Sequence, residues 1–165
     1  MPHIHEKYDF TITAFIVYDN KVLLVNHPRY NKWIPMGGHI ELDEDPEEAL
    51  FREIREETGL DVEILSDRPQ VESPGTKFLL TPNYIDVHEA NLPHRHISFT
   101  YFAKAKNNQH VLSNEHDAIK WFSQEELEDP MYNLTPSVKF YATKALETAK
   151  SFHPSAARPG KEANK

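Results

Sequence analysis

Three carboxylates recur at short spacing near the middle of the chain: Glu53, Glu56 and Glu57. On a helix at about 100° per residue, Glu57 stands about 40° from Glu53 and Glu56 about 60° to its other side. All three then share one face within about one turn. Like charges this close repel by a few tenths of a kcal/mol per pair. A divalent cation would reverse that cost. Mg²⁺ takes oxygen ligands and is usually held by a few carboxylates together with substrate phosphates. Arg52, four residues before Glu56, is placed to orient that carboxylate as an outer partner. Between Gly38 and Glu63, eleven acidic residues stand against two arginines, in a chain whose whole net charge is -8. Spacing alone leaves a second reading open, a charged and solvated helix face.

The elements that must position these groups are readable around them. Asp45 suits a helix N-cap, Pro46 the first helical position, and Glu48 closes a capping box. Gly59 suits the residue just past the end, so a helix is expected over Pro46–Thr58. Leu50 and Ile54, four apart, supply its core face. Before it, Tyr8–Tyr18 and Lys21–Asn26 read as strands joined by an Asp19-Asn20 turn. Residues 27–32 form a polar loop, Trp33–Gly38 an extended piece with Gly37-Gly38 at its end, and His39–Leu42 one more short strand. Glycine there lets the backbone approach a ligand closely.

After the helix, Asp61–Leu65 is expected as a strand and residues 66–75 as ill-defined. Residues 76–87 carry one or two short extended pieces, and 89–94 a loop. Ile97–Ala105 and Ala118–Phe122 read as strands. Ser123–Glu126 opens a short helix, and Thr135-Pro136 caps a last one reaching about Lys150 with apolar residues at helical spacing. Residues 1–150 are expected as a single domain and 151–165 as a tail. Strands interspersed with few helices point to an α/β fold, a mixed sheet with helices on its faces.

Composition bounds the function. At 165 residues with 39% hydrophobic content, one domain can bury a sizeable core. The absence of cysteine removes disulfides, thiolate metal sites and a cysteine nucleophile. It fits a reducing compartment, and a cytoplasmic location is expected. The N-terminus lacks the pattern of a signal peptide, and no apolar run is long enough to span a membrane. An acidic balance disfavours long nucleic acid.

The stretch Gly38–Leu60 resembles the box of the Nudix hydrolase family. Gly38, Glu44, Arg52, Glu53, Ile54, Glu56, Glu57, Gly59 and Leu60 occupy every specified position of that pattern. The strand hairpin before it, the Trp33-x-Pro-x-Gly-Gly approach and the Trp121–Leu127 stretch also look like the family. The resemblance implies the Nudix fold, an α/β/α sandwich around a central mixed sheet. It implies hydrolysis of a nucleoside diphosphate linked to a moiety X, giving a nucleoside monophosphate and phosphorylated X. It further implies that Glu53, Glu56 and Glu57 bind Mg²⁺ or Mn²⁺, with the Gly38 region contributing a backbone carbonyl. Arg52 would orient the glutamates, and Glu44 would lie at the edge of the site.

Other residues stand outside the box. Glu115, on the loop before Trp121, is a candidate general base. Arg29 could pair with a phosphate, and Tyr30 or Trp33 could stack on a base. His94 and His96, at i and i+2, would point the same way from a strand beside the box, towards substrate or a polar strand edge. Ten histidines raise the question of zinc, but none has the spacing of a structural zinc site. A monomer or homodimer acting on a small nucleotide derivative is expected. The alternative is a catalytically silent Nudix-fold nucleotide-binding or sensor module, which the intact glutamates disfavour. An isopentenyl diphosphate isomerase-like enzyme would need a cysteine.

Overall fold

The computed structural model describes residues 7–27, 31–111 and 116–153. Eight strands among these form one mixed sheet. The hairpin of β1 (Tyr8–Tyr18) and β2 (Lys21–His27) turns at Asp19 and Asn20, whose φ values of 47° and 57° are the left-handed pair such a turn requires. β3 (Lys32–Ile34) pairs with β2, and β4 (Met36–His39) returns antiparallel along β1. Helix α1 spans Pro46–Thr58, followed by β5 (Val62–Ile64), β6 (Tyr84–Asn91), β7 (His94–Ala105) and β8 (Ala118–Phe122). Helix α2 (Gln124–Glu128), a 3₁₀ turn at Pro130–Tyr132 and helix α3 (Pro136–Ser151) complete the described chain. The β1–β7 pairing is parallel, and every other pairing of strands is antiparallel.

Alternation along β1 decides what each face buries. Ile12, Ala14 and Ile16 meet Ala49, Leu50 and Ile54 of α1. Phe15 and Val17 meet Val138, Ala142, Ala145 and Leu146 of α3. The result is the α/β/α sandwich with a central mixed sheet.

Two expectations are corrected. The strand expected at His39–Leu42 stops at His39, and residues 40–45 lead through a turn into α1. The loop expected at 89–94 is instead the tip of a hairpin, with β6 running to Asn91 and β7 starting at His94. Residues 65–83 have no regular structure but are held by side chains. Buried Glu47 accepts from Arg68 Nη2 (2.6 Å) and the Leu80 amide (3.2 Å). Asn83 bridges the Leu65 carbonyl and the Phe102 amide. The tail expected at 151–165 lies beyond the described residues from 154 onward, and Ser151 itself closes α3.

Candidate active site

Helix α1 is fixed at both ends, which sets the direction of its carboxylates. The Asp45 side chain accepts from the amides of Glu47 (2.9 Å) and Glu48 (3.1 Å), and the Glu48 side chain accepts from the Asp45 amide (2.9 Å). Gly59 ends the helix at φ 66°, donating to the Arg55 carbonyl. Ala49, Leu50 and Ile54 seat the helix on the sheet. That seating turns Glu53 and Glu57 inward, where each is almost fully buried, and leaves Glu56 exposed. The three carboxylates thus differ in environment, although the wheel had put them on one face.

The glycine pair performs two separate tasks. A Cβ at Gly38 would stand 2.2 Å from Glu53 Oε1, so the carboxylate lies against bare backbone. A Cβ at Gly37 would stand 2.2 Å from the Ile12 carbonyl oxygen, and its φ of +152° already favours glycine. Gly38 makes room for the site, while Gly37 makes room for the sheet.

Arg52 joins the pieces. Its Nε and Nη2 donate to the two oxygens of Glu44 at 2.5 and 2.8 Å, a bidentate fork. Its Nη1 donates to Glu53 (2.7 Å) and Glu56 (3.3 Å), and Nη2 also to the His39 carbonyl (3.1 Å). The guanidinium holds the Glu44 carboxyl below its usual range. Burial pushes the Glu53 carboxyl up, and Arg52 opposes that rise. Arg52 is itself held more firmly protonated, first by Glu44.

Whether a cation fits can be judged from Glu57. Its Oε2 is buried and accepts no hydrogen bond among the described residues. His116 Nε2 stands 3.4 Å away without forming one. A buried carboxylate oxygen left unsatisfied is costly. Glu53 and Glu57 together offer oxygen donors, the set that suits a hard dication such as Mg²⁺ or Mn²⁺. These residues fit the group.

The remaining expected residues scatter. Arg29, Tyr30 and Glu115 lie outside the described residues. The Trp33 ring packs edge-on against Phe122 (5.0 Å) and against Tyr132 (6.3 Å), a wall of the α3-side core. His94 and His96 lie on the sheet face away from α1. Sequence reasoning centred on Glu115 and missed its neighbour His116, whose ring is nearly buried beside Glu57. Only its adjacency to that acid could have pointed to it.

The comparisons agree with this geometry. A family model described as the NUDIX domain matches residues 7–143. A solved hydrolase of the NUDIX family from Clostridium perfringens is 34% identical with a TM-score of 0.75, covering 86% of this chain and 97% of that one. A Bacillus subtilis (strain 168) protein named the uncharacterized Nudix hydrolase YvcI is 29% identical over 67% of this chain and 63% of its own length. The CTP pyrophosphohydrolase of Escherichia coli (strain K12) is 27% identical over 70% of this chain and 76% of its own. The chain thus spans just under two thirds of one of these curated relatives and about three quarters of the other. With a domain match over most of its length, the same sheet-and-helix architecture and a complete carboxylate helix, the chain belongs to the Nudix hydrolase family.

Proposed function

We propose that the chain is a Mg²⁺- or Mn²⁺-dependent pyrophosphohydrolase. It would cleave a small nucleoside diphosphate derivative, NDP-X, to NMP and phosphorylated X by attack of water at phosphorus. The observation that carries this reading is the buried pair Glu53 and Glu57, one laid against Gly38 and the other holding an unsatisfied oxygen. Relatives named as a CTP pyrophosphohydrolase, an NAD-capped RNA hydrolase and an m7GpppN-mRNA hydrolase support a nucleotide-derivative substrate.

Glu53, Glu56 and Glu57 would hold the cation, with the Gly38 backbone beside them. The bound cation supplies neutralisation of diphosphate charge and a water acidified towards neutral pH. Arg52 positions Glu53 and Glu56 and is itself pinned by Glu44 and the His39 carbonyl. His116 Nε2 stands 3.4 Å from Glu57, close to the carboxylates. Glu115, Arg29 and Tyr30 remain proposed as base and substrate contacts.

The test is a substrate panel with Mg²⁺ and Mn²⁺, covering nucleoside triphosphates, ADP-ribose, nucleotide sugars and dinucleoside polyphosphates. Expected is metal-dependent turnover of at least one compound, releasing a nucleoside monophosphate. Tight binding without turnover of any of them would support the nucleotide-sensor reading instead.

A further inference from the structure

The sheet face away from α1 carries a second set of metal-binding side chains. β1 register places Thr11 opposite His39 and Ser98, and Asp9 opposite His96. Strand alternation puts Asp9, His39, His94 and His96 on the side opposite Ile12 and Gly38. One donor atom from each of His39, His94 and His96 lies within 4.8 Å of the others. Fully buried Asp9 places Oδ2 3.1 Å from His94 Nε2 and 3.4 Å from His39 Nε2. Four donors arranged as a tetrahedron about Zn²⁺, each at about 2.0–2.1 Å, stand about 3.3 Å from one another. The two Asp9 contacts therefore already have the spacing of neighbouring ligands.

A hydrogen-bonded cluster without metal would account for Asp9 with His39 and His94, but not for His96. The Nε2 of His96 is buried and has no hydrogen-bond partner among the described residues. Its ring packs against His39 (4.9 Å), His94 (5.4 Å) and His88 (5.3 Å). Burial, and then these neighbouring rings, push its pKa down to about 4. His88 is tied to Asp86 at 2.9 Å, a supporting pair beside the cluster.

We propose that His39, His94, His96 and Asp9 form a second metal site for a Zn²⁺-like transition-metal dication, separate from the glutamates of α1. Imidazole donors suit Zn²⁺ and its neighbours, whereas Mg²⁺ prefers oxygen, so each site selects a different ion. His39 joins them, since its carbonyl accepts from Arg52 on the other face. An occupied site would hold the end of β4 on which Arg52 leans.

The test uses the full-length, tag-free protein carrying Glu53→Gln and Glu57→Gln, so that the glutamate site is disabled. Titrated with Co²⁺, it should bind one equivalent with the strong visible absorption of four-coordinate Co²⁺, and Zn²⁺ should displace it. Adding His96→Ala or His94→Gln should weaken binding by about tenfold or more, with folding checked by circular dichroism. A weak six-coordinate Co²⁺ spectrum, or undiminished binding in the folded histidine variants, would overturn the site. Should both variants misfold, X-ray absorption on the Zn²⁺-loaded parent decides. An imidazole-containing shell supports the site, and an all-oxygen shell refutes it.

Discussion

Gly37 and Gly38 are adjacent residues, yet their replacement should fail in different ways. Gly38→Ala drives a methyl group into the Glu53 carboxylate, the end of a side chain that can swing aside. Turnover should drop about tenfold or more, because the displaced carboxylate leaves its positioned place, while thermal stability changes little. Gly37→Ala instead meets backbone at a φ of +152°, which cannot yield as cheaply. It should cost about 2 kcal/mol of stability or more. Steady-state kinetics and thermal melts on both variants separate the cases. The sequence showed that glycine was needed here for a close approach. It did not show that one glycine serves the glutamate and the other the strand, because that depends on register with β1. Likewise the helical wheel grouped Glu53, Glu56 and Glu57, but only the seating of Leu50 and Ile54 on the sheet decides which carboxylates are buried.

At the scale of elements, α1 was legible to the residue. Its start and stop are local chemistry, with Asp45 and Glu48 forming the capping box and Gly59 taking the left-handed end. Residues 65–83 were not legible, because what holds them is remote in sequence. Glu47 reaches Arg68 and the Leu80 amide across 21 and 33 positions. Glu47→Ala should therefore leave that amide and guanidinium without their acceptor. Expected is faster hydrogen exchange or proteolysis confined to residues 65–83, with a loss of about 1–3 kcal/mol for the buried amide left unpaired. Unchanged protection there would show that the segment is held by other contacts. The β6–β7 hairpin was missed for a similar reason. Its tip, Asn91-Leu92-Pro93-His94, is polar and contains a proline, so it reads as a loop, while the pairing with β7 continues to His94. The early start of β7 also lets it pair with β1 from Arg95 onward, which sets His96 opposite Asp9, and no linear spacing reveals it.

At the scale of the molecule, two cores on opposite faces of one sheet bury polar groups along with apolar ones. Burial pushes the phenols of Tyr101 and Tyr141 up to about 12, and Asp86, accepting from Tyr141 at 2.8 Å, adds to the second. Both folded-state values lie above the unfolded value of about 10. Their contribution to stability is complete below pH 10 and is lost as pH rises from there through about 12. A spectrophotometric titration should show Tyr101 and Tyr141 ionising late, with denaturant midpoints falling across the same range. Ionisation of all tyrosines together near pH 10 would contradict the packing of both cores. No helix among the described residues is long and apolar enough to cross a membrane.

The reaction assigned to this scaffold depends on the cation that Glu53, Glu56 and Glu57 are proposed to hold. Its most direct test is a Mg²⁺ titration of turnover for the Glu57→Gln variant beside the parent, on whichever panel compound the parent hydrolyses. The variant should fold normally, since it only neutralises an oxygen that accepts no hydrogen bond among the described residues. It should lose about a hundredfold or more in turnover at saturating Mg²⁺. Turnover equal to that of the parent, with the same Mg²⁺ dependence, would contradict the assignment of the metal to α1.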